Sequence, residues 1–233
     1  MKKSVLATVL LSGLALSVAS TTVSAAETET SKVEVNLTKD NGHEPGTGPF
    51  LDKLTIVHKP TVFKFSGSTT SGSLQLSNEH TRKDNQFISV NDDRKDVATG
   101  AAKTGKWELT GQLSDLTASS GNLEANMLFT PESLIQYDIG AAGNQPNGSF
   151  DYAPAEIDPS ATAADTAKYK LSSTFNLAAG GDEVKFLEST TDAASGLKGV
   201  ATNLGNVDLL VATGNATEAG SYKGTITWTL TAK

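Results

Sequence analysis

Apolar residues recur at every second position along much of this chain. Val33, Val35 and Leu37 alternate with Lys32, Glu34, Asn36 and Thr38. Leu74 and Leu76 alternate with Ser73, Gln75 and Ser77. Leu123, Ala125, Met127 and Phe129 share one face of a ribbon, as do Val207, Leu209 and Val211. A period of two sends successive side chains to opposite sides of an extended backbone, so these runs predict half-buried strands. Turn-forming pairs separate them: Asn41-Gly42, Ser66-Gly67, Gly180-Gly181 and Gly214-Asn215. Long helical stripes are absent, and the weak candidate at Ala161 to Lys170 has almost no apolar face. The pattern predicts an all-β protein: a single β-sandwich or open-barrel domain with long inter-strand loops.

The prolines add a constraint. All seven lie at or before Pro159. An inner strand cannot spare a backbone donor, so residues 160–233 are expected to supply inner strands. Residues 140–168 read instead as a long surface loop. They run Gly140-Ala-Ala-Gly-Asn-Gln-Pro-Asn-Gly-Ser and then carry Pro154 and Pro159 among alanines. A domain boundary there would leave neither half with much core.

The start of the chain breaks the alternation. Met1-Lys2-Lys3 is a short basic opening, and Val5 to Val18 is mostly apolar and uncharged. Val23-Ser24-Ala25 then ends in the small-x-small pattern of a signal-peptidase site, and acidic residues begin at Glu27. This is the pattern of a secretory signal over residues 1–25. The apolar run is too short to span a bilayer comfortably, and no later stretch is long and apolar enough to do so. The expected organisation is a signal at 1–25, an N-terminal strand and flexible segment at 26–50, and a β domain at 51–233. An exported product with no membrane span after cleavage is expected.

Charge and composition narrow the partners. The 233 residues hold 19 basic and 26 acidic side chains and no cysteine. Removing residues 1–25 takes away two lysines and no acid, leaving 17 basic against 26 acidic residues, a net charge of −9. An acidic chain with no basic run argues against nucleic acid as a partner. The missing cysteines exclude a disulfide framework, a thiolate metal site and a cysteine nucleophile.

The two tryptophans sit in matched contexts. One lies in Gly105-Lys106-Trp107-Glu108-Leu109-Thr110, the other in Ile226-Thr227-Trp228-Thr229-Leu230-Thr231. Tyr222, Gly224, Ile226, Trp228 and Leu230 share a face, and so do Trp107, Leu109, Gly111 and Leu113. Burying one tryptophan removes about 150–250 Å² from water, on the order of 4–6 kcal/mol of gross stabilisation. In a chain that is only 37% hydrophobic, two such residues matter to the core. The alternative is an exposed platform that stacks on sugar rings. Either way, the two ribbons are expected to meet side by side and hold the module in shape.

These runs resemble the WxL-domain surface proteins of low-GC Gram-positive bacteria, in the small form of a signal peptide followed by one such domain. The resemblance spans essentially the whole mature chain. It rests on Gly224-Thr-Ile-Thr-Trp228-Thr-Leu230, led by Tyr222, and on Trp107-Glu-Leu109, about 13 residues after Asp92-Asp93-Arg94. The segment from Leu54 through Pro60 to Phe65 is similar to the family's early Leu…Pro…Phe stretch. The chain departs from the family in two places: Ser66 stands between Phe65 and Gly67, and no proline follows the final Trp-x-Leu before Lys233. The resemblance implies non-covalent attachment to peptidoglycan or another cell-wall polymer, at the cell surface. It also implies assembly with other surface proteins of the same gene cluster, and no catalytic activity or cofactor. Trp107, Leu109, Tyr222, Trp228 and Leu230 are then the domain-defining or wall-binding motif.

Other constellations point nowhere stronger. Asp92, Asp93, Arg94 and Asp96 lack the spacing of a calcium loop. An Asp–Arg94 pair that orders the loop before Trp107 is the expected role. His43, His58 and His80 are isolated, and no Gly-x-Ser-x-Gly elbow occurs. No metal site and no catalytic residue is assigned. Two other readings stay open: a pure protein–protein assembly module, and a wall glycan hydrolase built on two carboxylates whose separation a sequence does not reveal.

Overall fold

A computed structural model describes residues 27–34, 43–45, 53–68, 72–79, 86–92, 94, 98–101, 105–138, 162–190, 198–212 and 220–233. The expected signal at 1–25, Val35, Leu37, Asp93, His80, the turns at 41–42 and 214–215, and most of the 140–168 loop (through residue 161) lie outside them.

Every regular element among the described residues is a strand. In chain order they are β1 (Glu27–Glu34), β2 (His43–Pro45), β3 (Leu54–Pro60), β4 (Val62–Lys64), β5 (Leu74–Ser77) and β6 (Phe87–Asp92). Next come β7 (Trp107–Leu113), β8 (Leu116–Ala118), β9 (Gly121–Leu123), β10 (Ala125–Thr130), β11 (Ile135–Asp138) and β12 (Thr162–Ala163). The last are β13 (Tyr169–Leu171), β14 (Phe175–Ala178), β15 (Val184–Ser189), β16 (Lys198–Asn203), β17 (Asn206–Val211) and β18 (Lys223–Ala232). The fold is all-β. The segment weighed as a helix forms β12, a turn and β13. Asp165 closes that turn, accepting from Ala167 N–H at its side chain and from Lys168 and Tyr169 N–H at its carbonyl. A short polar side chain that bonds its own backbone competes with a helix there.

Three sheets result. The largest runs β13-β15-β7-β18-β1-β4, with the β8–β9 hairpin attached to β18. A second runs β14-β10-β17-β5, and a third β12-β11-β16-β6-β3-β2. Neighbouring strands are antiparallel except β1 and β4, which pair in parallel. The proline-free part of the chain supplies β15, β16, β17 and β18, and all four have a partner on each side. Its three shorter strands, β12, β13 and β14, lie at sheet edges. A strand bonded on both sides uses every N–H it has, which is why proline is missing there.

The first and second sheets face each other across one hydrophobic core, to which the third also contributes. Met127, Phe129, Leu177 and Leu209 come from the second sheet, Leu109, Ile226, Trp228 and Leu230 from the first, and Ile56, Ile88 and Val90 from the third. The Leu54–Phe65 stretch supplies the corner between sheets. It passes from β3 in the third sheet to β4 in the first with only Thr61 between them. A strand that switches sheets makes the corner of a sandwich. Phe63 and Phe65 anchor it in the core.

Candidate functional site

Trp107, Leu109, Trp228 and Leu230 come together on the paired strands β7 and β18, Tyr222 lies just before β18, and all five are buried. Trp228 is 0% exposed and Trp107 is 1% exposed, so neither ring presents a face to solvent. Leu109 and Leu230 stand opposite each other in the β7–β18 register, while Trp107 faces Ala232 and Trp228 faces Gly111. The ribbons thus lie side by side, but the indoles are staggered. The antiparallel direction dictates this. Each tryptophan precedes its leucine by two residues, so aligning the leucines sets the tryptophans four positions apart, roughly 13 Å along the strands.

The two rings occupy different surroundings. Trp228 stacks on Phe175 of β14, with centroids 5.8 Å apart and planes at 24°. Phe186 lies 5.7 Å away, and Phe129 meets the indole edge-on at 6.4 Å. Such offset and edge contacts add to the stabilisation from area alone. Gly111 makes room for the stack: a Cβ there would lie 2.8 Å from Phe175 Cζ and 3.1 Å from Trp228 Cζ3.

Trp107 instead begins its strand at the end of the sheet. Its ring lies 6.1 Å from that of Tyr169 on β13, and its backbone N–H donates to Ser189 Oγ on β15 at 2.9 Å. Its indole Nε1 is buried with no hydrogen-bond partner among the described residues. A buried donor left without an acceptor costs about 1–3 kcal/mol.

The loop before Trp107 is tied down by Arg94. Its Nε and Nη2 donate to the two carboxylate oxygens of Asp92, each at 2.7 Å, and Nη2 also donates to the Gly105 carbonyl at 2.7 Å. The side chains are 13% and 4% exposed. A bidentate fork of this kind fixes geometry as well as charge. It links the end of β6 to the residue pair just before Trp107. Asp93 lies outside the described residues. Asp92 also acts on its neighbour: burial, and then the charges of Asp92 and Asp165, push the Tyr169 hydroxyl up to about 12.

Tyr222 is buried beside the β8–β9 hairpin, its hydroxyl 3.4 Å from Ser120 Oγ. On the solvent side of the first sheet, Lys185 pairs with Glu188 at 2.7 Å and Glu108 at 3.6 Å, and Lys233 also pairs with Glu108. Donation from Lys185 holds the Glu188 carboxyl below the usual range. Among the described residues no group of three or more His, Asp or Glu side chains is placed to hold a metal, and no helix is long and apolar enough to cross a membrane. His58 is buried in β3, its Nδ1 2.9 Å from the Phe87 carbonyl, which makes that nitrogen the donor.

One feature has no counterpart in the motifs. A cleft of about 640 Å³ opens where the end of β5, the start of β17 and the segment after β10 converge. Asn78, Gln86, Asn206, Glu132, Asp208 and Ser77 line it. Asp208 accepts from Gln75 Nε2 at 3.0 Å and from Ser77 Oγ at 2.7 Å. The Lys64 N–H donates to Asn78 at 3.0 Å, which identifies that atom as Oδ1. Asn78 Nδ2 is buried and has no hydrogen-bond partner among the described residues. Gly205, with φ of +65°, forms the floor; a Cβ there would sit 1.9 Å from the Thr130 carbonyl oxygen. Nothing in the sequence pointed here, because separate short segments supply the lining.

The fold and these joints define a β-sheet domain in which the paired Trp-x-Leu runs are core. Residues 24–233 match the family model of the WxL domain, described as a surface cell wall-binding domain, and the chain belongs to that family. A comparison with curated proteins gave no match. The family places the chain at the cell surface or cell wall, with a cell-wall polymer as its partner.

Proposed function

We propose that this chain is a non-catalytic surface protein, exported by residues 1–25 and held non-covalently on the peptidoglycan of a Gram-positive wall. It presents its outer surface there to partner surface proteins of the same gene cluster. One observation carries the reading: the family match occupies residues 24–233, so the activity of the chain is that of the wall-binding domain. The binding surface is formed by groups other than the indoles, which are sealed in the core. Bulk charge does not drive attachment. The mature chain carries −9, and walls rich in phosphate and carboxylate repel it at neutral pH, over a range screened to about 8 Å at physiological salt.

Sedimentation with purified walls tests this. The protein should pellet with walls stripped of protein, and as well or better near pH 5, close to the sequence pI of about 5.0, than at pH 8. Binding that weakens steadily on acidification contradicts the charge argument. Binding only to unstripped walls moves the role to protein assembly alone, and new reducing ends in the supernatant reveal a hydrolase.

A further inference from the structure

The polar cleft beside Gly205 is where the wall polymer would be read. Two carboxylates, Glu132 and Asp208, line it, and no lysine, arginine or histidine does among the described residues. Glu132 and Asp208 would repel a phosphate-rich polymer. The exposed side-chain amide of Asn206 offers both donors and an acceptor, and the carboxylates accept from hydroxyl pairs. That combination suits a neutral ligand bearing hydroxyls and acetamido groups. The volume, about 640 Å³, falls within the size range of small-ligand sites.

The groups are also held in place. Asp208 is fixed by Gln75 and Ser77, and Asn78 by the Lys64 N–H at its Oδ1. The backbones of Asn78 and Gln86 are pinned by bonds to Val207 and Leu204.

We propose that this cleft is the saccharide subsite of the domain, taking an uncharged N-acetylated stretch of the wall glycan. The inference rests on the wall-binding reading above and adds the place and the ligand class. The mature chain, labelled with nitrogen-15, is titrated with a short β-1,4-linked N-acetylglucosamine oligomer. The side-chain amide signal of Asn206 should move first. The double variant Glu132→Ala/Asn206→Ala removes two exposed side chains, so its melt should match that of the parent chain. Its affinity for the oligomer and for walls should fall roughly tenfold. Walls freed of phosphate polymers, and walls freed of stem peptides by amidase, should both retain the parent protein.

An unchanged affinity of the double variant for walls overturns the cleft and leaves wall binding standing. Loss of binding to phosphate-free or peptide-free walls overturns the saccharide assignment. A parent protein that pellets with no wall preparation overturns both this inference and the reading beneath it.

Discussion

The two Trp-x-Leu-Thr ribbons are near copies in sequence and unlike in structure. Trp228 lies in the middle of an inner strand, and its ring packs among Phe129, Phe175 and Phe186 from three other strands. Trp107 opens an outlying end of its strand, with Tyr169 on one side and the Arg94 clamp behind it. One ring joins the two faces of the sandwich. The other packs on Tyr169 at the end of a sheet, next to the loop that Arg94 holds. The same four-residue pattern therefore performs two mechanical tasks, and position in the sheet decides which.

Trp228→Ala should have the largest effect. It removes the ring that three phenyl groups share, and truncations of this size cost about 3–5 kcal/mol. Urea unfolding should show a large drop in midpoint, with wall binding lost only through unfolding. Loss of binding at an unchanged midpoint would contradict a core role.

Arg94→Ala comes next, at about 3 kcal/mol, because it leaves the Asp92 carboxylate buried without its partner. Its signature is local: emission from Trp107 should shift to the red more than that from Trp228, compared in single-tryptophan backgrounds. Removing both charges with Asp92→Asn/Arg94→Met should recover part of the loss. No recovery would mean that the contact to the Gly105 carbonyl dominates.

Smaller substitutions separate the rings directly. Trp107→Phe gives up some buried area but also removes the unpartnered Nε1, so it should cost under about 1 kcal/mol. Trp228→Phe leaves a gap in the phenyl cluster and should cost clearly more in the same melt. Equal losses would erase the distinction drawn between the two sites.

A further effect depends on pH. The Tyr169 hydroxyl is raised from 10.0 to about 12, so its protonated form is favoured in the folded state. That contribution is complete below pH 10 and is lost as pH rises through about 12. The melting temperature should fall across this window, and Tyr169→Phe should flatten part of the fall. An identical slope in the variant would show that other groups control it.

Much of the fold was legible because strand alternation is local. Leu123 to Phe129 and Val207 to Val211 read as single buried faces, and those side chains are buried. The proline-free stretch likewise announced inner strands, since the missing N–H is a property of the residue itself. The meeting of the two Trp-x-Leu ribbons was legible too, but not the stagger of their indoles, which follows from antiparallel pairing. The cleft was not legible at all. Asn78, Glu132 and Asn206 lie on distant segments, and each looks like an ordinary surface polar residue.

By itself, then, the order of residues determined the strands, their buried faces and the family, because each of these depends on near neighbours or on a recognisable spacing. Only the tertiary structure decided which strands adjoin, what each indole touches, and which amides and carboxylates converge on one hollow. Pairing partners and their register are chosen between stretches far apart in the chain. They are settled by the burial and hydrogen bonding of all the strands together.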